Sequence, residues 1–131
     1  GKIEIFEPHF VRDFVCLSDV VRCFGHFIEY REGIYNVGLD EANISKLDLA
    51  HKIRKTINSF WDIYISRDKI TIGNSKDQDQ RNYKVSHEKV KNTGFKFNFS
   101  LENGIRSIYN YCNLVGDYNK IMRQRHCNDT G

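Results

Sequence analysis

No two of the nine glycines stand at the spacing of a dinucleotide-binding turn. The chain therefore lacks the loop through which backbone N–H groups approach a pyrophosphate at a helix N-terminus. A Walker phosphate loop, a His-Glu-x-x-His zinc pair and a Gly-x-Ser-x-Gly nucleophile turn are missing too, which removes three common routes to phosphoryl and acyl chemistry. No apolar run approaches the length of a membrane span and no signal peptide is evident; it is the cysteine pattern that makes a cytoplasmic protein the expectation. Charge of one sign is nowhere concentrated. The formal net charge is +3 with no block of like charges, a weak footprint for nucleic acid, and the cations are not grouped with stacking aromatics.

The cysteines are badly spaced for metal or disulfide work. Cys16, Cys23, Cys112 and Cys127 form no Cys-x-x-Cys pair, and the first three fall on apolar faces, as buried reduced thiols do. The five histidines (His9, His26, His51, His87 and His126) are scattered without ligand spacing, so no metal site is expected and they read as surface or helix-face residues.

What is present is an ordinary globular composition, 131 residues with 40% hydrophobic and 28% charged, enough for one domain or a piece of one. The chain opens at Gly1 straight into the alternating run Lys2 to Phe6, the look of a fragment. Strands are expected at Ile3 to Phe6, Phe14 to Leu17, Ile34 to Gly38, Trp61 to Ser66 and Lys69 to Ile72. Arg12 would stand just before the second of these.

Ser18 and Asp19 supply the start of a helix to about Tyr30, with Val20, Val21, Phe24, Phe27 and Ile28 on one face. A second helix begins near Asn43 to Ser45, where Ser45 and Asp48 have capping-box spacing, and buries Ile44, Leu47, Ala50, Ile53 and Ile57. Residues 73–82 form a polar loop. Tyr83 to Val85 is briefly extended, and Ser86 caps a short helix that exits at Gly94. Ser100 caps a last helix with Leu101, Ile105, Ile108, Tyr109 and Cys112 on one face, and beyond Val115 a polar tail frays. Alternating strands and helices make the fold class α/β.

The chemistry this leaves is a set of cations placed to meet an anion. Arg12 lies beside a strand, and Lys76 and Arg81 lie in or at the end of the polar loop. An arginine clamps phosphate oxygens with a bidentate fork and a lysine does so as a point charge. Ordinary surface charge is the competing explanation of the same residues.

Two groups of segments add to this. Arg12-Asp13-Phe14-Val15 with Ser18-Asp19-Val20, then Tyr35-Asn36-Val37-Gly38, resemble the substrate-side motifs of extended short-chain dehydrogenases/reductases. Arg81-Asn82-Tyr83-x-Val85-Ser86-x-Glu88-Lys89, Thr93-Gly94-Phe95-Lys96 and Ser100-Leu101-Glu102-x-Gly104-Ile105-Arg106 resemble that family's closing run. The resemblance is to the C-terminal part of an NAD-dependent nucleotide-sugar epimerase/dehydratase. It implies the last sheet strands of a Rossmann-like fold plus a small substrate-binding lobe over residues 1–115, with a polar tail at 116–131.

The resemblance further implies NAD or NADP in the complete enzyme and none bound by this chain alone, and a nucleotide diphosphate sugar as ligand. It also implies a missing N-terminal Rossmann part as partner, with any homodimer a property of the complete enzyme. Arg12 takes the place of the arginine that contacts the diphosphate. Lys76 or Arg81 supplies the second cation, and Asn36 and Gly38 shape the edge of the site. The family often has histidine and aspartate where this chain has Cys16 and Ser18.

The family's base is a tyrosine followed four residues later by lysine. The residues four places after the seven tyrosines are Ile34, Leu39, Asp68, His87, Asn113, Val115 and Met122, so the base is missing and the chain alone is expected to be inactive. A non-catalytic stand-alone binding or interaction module derived from the same fold is the alternative. A nucleic-acid binder comes third.

Overall fold

The computed structural model describes residues 2–28, 32–76 and 78–128, with side chains described as far as Asp117. Its elements are short strands β1 (Ile3–Ile5), β2 (Val11–Asp13), β3 (Asn43–Ser45) and β4 (Ile70–Ile72), and helices α1 (Leu17–Ile28), α2 (Lys46–Phe60), α3 (Glu88–Lys91) and α4 (Leu101–Asn128). The architecture is mixed α/β with two two-stranded sheets. β1 pairs with β4 in parallel, Ile3 opposite Ile70 and Ile5 opposite Ile72. β2 pairs with β3 antiparallel, Arg12 opposite Ile44 and Asp13 opposite Asn43.

The second strand lies three residues earlier than its apolar composition suggests. β3 is only Asn43 to Ser45, because Ser45 already caps α2 by accepting from the Asp48 N–H at 3.1 Å. The ladder therefore takes Val11 to Asp13, with one further bond from Phe14 N to Ala42 O (3.2 Å). Arg12 consequently sits inside a strand rather than before one.

Two other expected strands do not form. Lys89 Nζ donates to Ile34 O (2.7 Å) and Asn36 Nδ2 to Ser86 O (3.3 Å), so the Ile34 to Gly38 stretch is tied by side chains instead of a ladder. In the Trp61 to Ser66 run, Asn58 meets Ile65 with both ends of its amide, accepting from the N–H at 2.9 Å and donating to the carbonyl at 3.1 Å. A side-chain amide can satisfy a backbone residue as a neighbouring strand would.

α1 begins at Leu17, so Ser18 falls inside its first turn rather than capping it. Asp19 is fully buried and does a different job. Its oxygens accept from the backbone N–H groups of Asn98 (3.0 and 3.2 Å) and Phe99 (2.9 Å) and from Arg22 Nη1 (2.6 Å). It thereby fixes the entry to α4, where Ser100 accepts from the Asn103 N–H at 3.2 Å. α4 continues through Asn128, so the expected tail is helical over its described residues. Tyr30, and the side chains of His126 and Cys127, lie outside the described residues.

The core gathers Cys23, Val90 and Phe95, with Phe27, Tyr35, Val37 and Phe97 against them. Phe27 stacks on Tyr35 at 4.3 Å, and Gly94 makes the chain reversal after α3 at φ +86°, where a side chain would be strained. α2 packs on α4, with Ile57 and Ile105 buried and Trp61 against Tyr109 at 4.2 Å.

α1 carries two apolar stripes. Cys23 and Phe27 face inward, whereas Leu17, Val21, Phe24 and Ile28 are exposed, so only part of its predicted face is buried. Ile108 and Cys112 on α4 are exposed likewise. A groove of about 610 Å³ runs between residues 14–18 and α4, with Leu17, Leu101, Ile105, Ile108 and Tyr111 among its walls. Among the described residues no helix is long and apolar enough to cross a membrane.

Candidate functional site

The polar loop returns over β2 as a strap with no regular element among its described residues. Three asparagines hold it. Asn82 Oδ1 accepts from the Val11 N–H (2.9 Å), Asn43 accepts from the Val85 N–H (2.7 Å) and donates to Val85 O (3.0 Å), and Asn36 reaches Ser86 O. The expected extended piece at Tyr83 to Val85 is thus pinned by amides at two points.

Below the strap stands Arg12, its side chain 15% exposed. Its Nη1 donates to Val11 O and to Arg81 O, and its Nη2 donates to Asp79 O (3.1 Å) and lies 3.4 Å from Asp79 Oδ2. The guanidinium carbon is 5.7 Å from the Phe10 ring centre and 5.5 Å from that of Tyr83, within the range of cation–π attraction. Arg12 is therefore fixed in place before any ligand arrives.

Arg81 meets the same carboxylate from outside. Its Nε and Nη2 fork onto Asp79 Oδ1 (2.7 Å) and Oδ2 (2.8 Å). The Arg81 fork, first, and then its backbone N–H hold the Asp79 carboxyl far below the usual carboxylate range.

Sequence reasoning brought Arg12 and Arg81 to one site and missed the anion between them. Asp79 stands two residues before Arg81, and the composition of a polar loop does not single it out. Lys46 was missed as well. Its Nζ lies 5.7 Å from the Phe10 ring centre, and Arg12 and Lys46 both border a cavity of about 430 Å³ whose other walls include Phe6, Phe14, Leu49 and Ile53. Lys76 is exposed and makes no hydrogen bond or ion pair among the described residues. Asn36 holds the far end of the strap rather than joining the arginines.

The strap ends in a buried histidine. His87 is wholly inaccessible, with Nε2 2.9 Å from Asp13 Oδ2 and Nδ1 3.0 Å from Asp40 Oδ1. An imidazolium donates to both, a neutral ring to one only. Lys91 Nζ also pairs with Asp40, and these two contacts, Lys91 first, hold the Asp40 carboxyl below its ordinary range. Gly38 lies against this cluster. A Cβ there would come within 2.4 Å of Asp13 Oδ2 and 2.5 Å of His87 Nε2, so the close approach expected of Gly38 is to protein side chains. His87 departs from the expected surface or helix-face position, and no spacing betrays it, because its partners lie 47 and 74 residues away.

Among the described residues no group of three or more His, Cys, Asp or Glu side chains could hold a metal ion. Cys23 is buried and its thiol is pushed up, chiefly by burial. Cys112 is exposed, against expectation. No family model matches this chain.

Proposed function

We propose that this chain is the nucleotide-sugar-binding portion of an NAD(P)-dependent sugar-nucleotide epimerase/dehydratase, with a Rossmann-like part elsewhere in the complete enzyme holding the cofactor. The observation that carries the reading is the convergence of Arg12 and Arg81 on one carboxylate. The resemblance gives Arg12 to the diphosphate and leaves the second cation between Lys76 and Arg81, and the meeting of Arg81 with Arg12, far apart in sequence, favours Arg81. Arg81 already presents to a carboxylate the bidentate fork that suits phosphate oxygens, and the Arg12 guanidinium adds its charge 3.4 Å from the same carboxylate.

The cavity beside Arg12 and Lys46 supplies an apolar wall next to the cations, as a nucleotide sugar needs. The exposed stripe of Leu17, Val21, Phe24 and Ile28 supports the partner assignment, since contiguous apolar surface of this kind marks a face buried against another surface. In this reading the chain positions the diphosphate and sugar, and the hydride step belongs to the cofactor-bearing part.

The test is calorimetric titration of the full chain with UDP, dTDP, GDP and CDP at low and moderate salt. One diphosphate binds saturably, and Arg12→Ala weakens it by about 1.5–3 kcal/mol, the value of a charge-assisted contact. Equal affinity of the variant removes Arg12 from the site.

A further inference from the structure

We infer that Asp79 is an internal anion that holds the place of the ligand's phosphate, so that ligand enters by displacing the Asp79 carboxylate from Arg81 and Arg12. This rests on the reading of those arginines as a diphosphate clamp. The Arg81 fork on Asp79 at 2.7 and 2.8 Å is the bidentate arrangement that an arginine offers to a phosphate. A ligand phosphate making that arrangement competes with the carboxylate directly.

The parts differ in how readily they move. Arg12 is held by carbonyls of Val11, Arg81 and Asp79 and flanked by two rings, so it keeps its place when the carboxylate leaves. Arg81 is 74% exposed and Asp79 36% exposed, and an ion pair so wetted is easily exchanged. The Asp79 backbone carbonyl is held by Arg12 independently of the carboxylate, so rotation of the Asp79 side chain opens the site at the loss of one strap bond, that from the Arg81 backbone N–H at 3.1 Å.

The consequence is selectivity by charge. Two guanidinium groups face one carboxylate, so the three groups together carry one net positive charge. A monoanion only exchanges with Asp79, whereas a diphosphate brings more charge than it displaces. Asp79 is in this sense a specificity-determining residue of the clamp.

The experiment titrates the full chain with inorganic pyrophosphate and with acetate, in wild type, Asp79→Asn and Arg12→Ala, each checked for native circular dichroism. Wild type binds pyrophosphate and not acetate. Asp79→Asn, which keeps an acceptor oxygen but loses the charge, tightens pyrophosphate binding about fivefold by raising the open fraction, and Arg12→Ala weakens it. If Asp79→Asn does not fold, Asp79→Ser is read by the same criterion. Weaker or unchanged binding in the Asp79 variant, with Arg12→Ala still weakened, overturns the displacement and leaves the clamp standing. Failure of wild type to bind pyrophosphate, or equal binding in Arg12→Ala, removes the clamp itself and the inference with it.

Discussion

Replacement of His87 tests the buried cluster that anchors the strap. Its ring is inaccessible and faces two carboxylates, but they are unequal. The Asp13 side chain is 14% exposed and that of Asp40 58%, so water takes over from His87 at Asp40 but not at Asp13. Asp13 has a second liability, since its Oδ1 is buried with no hydrogen-bond partner among the described residues.

His87→Ala therefore strands a carboxylate whose other oxygen is already unsatisfied. Breaking such a buried pair from one side costs about 3–5 kcal/mol, a large share of the ~5–15 kcal/mol that holds a domain of this size. Asp13→Ala removes the same bond from the other side. In a urea-unfolding double-mutant cycle read by circular dichroism, the two changes couple by about 1.5–3 kcal/mol, because the second loses nothing that the first has not already removed. Free energies that simply add, to within about 0.5 kcal/mol, would mean that the 2.9 Å contact carries no interaction.

Three further outcomes follow from the same contacts. Asn43→Ala removes both bonds to Val85 and lowers stability by roughly 1–3 kcal/mol, with faster amide exchange at Val85 as the local signature. Asp19→Ala strands the N–H groups of Asn98 and Phe99, costs about 3 kcal/mol in urea unfolding and speeds exchange at the start of α4.

Acid acts through Asp40, Asp79 and Glu102, whose carboxyls are held below their ordinary range chiefly by Lys91, Arg81 and Lys52 in turn. A depressed folded value contributes stability above the unfolded value that is lost as pH falls through the folded one. Stability is then level from neutral pH down to about 5 and declines below about 4, which thermal unfolding at stepped pH measures.

Some capping signals were legible and others were not: Ser18 falls inside α1, and α3 is preceded by His87 rather than capped by Ser86. Ser45 with Asp48, Ser100 and Gly94 all stand where a helix begins or a turn leaves one, because these signals are local and need no distant partner. The strands were less legible, for one recurring reason. Asn58 meets both backbone groups of Ile65 and Lys89 meets the Ile34 carbonyl, so the two apolar runs that read as strands but form none have backbone hydrogen bonds met by side chains.

The outward stripe of α1 misled in the same manner, since helical spacing shows that a face is apolar but not that this chain covers it. Arg12 and Arg81 could be singled out because each sits in a distinctive segment, and the structure brings both to Asp79. Asp79, Lys46 and His87 could not, because their roles exist only once residues far apart in sequence have met.

The most direct measurement of the central claim is saturable binding of a nucleoside diphosphate by the folded full chain, titrated by calorimetry with UDP, dTDP, GDP and CDP beside Arg12→Ala. The account predicts one preferred diphosphate, bound more weakly at higher salt and markedly more weakly by the variant. A folded chain that binds none of the four, or binds one equally well without Arg12, contradicts it.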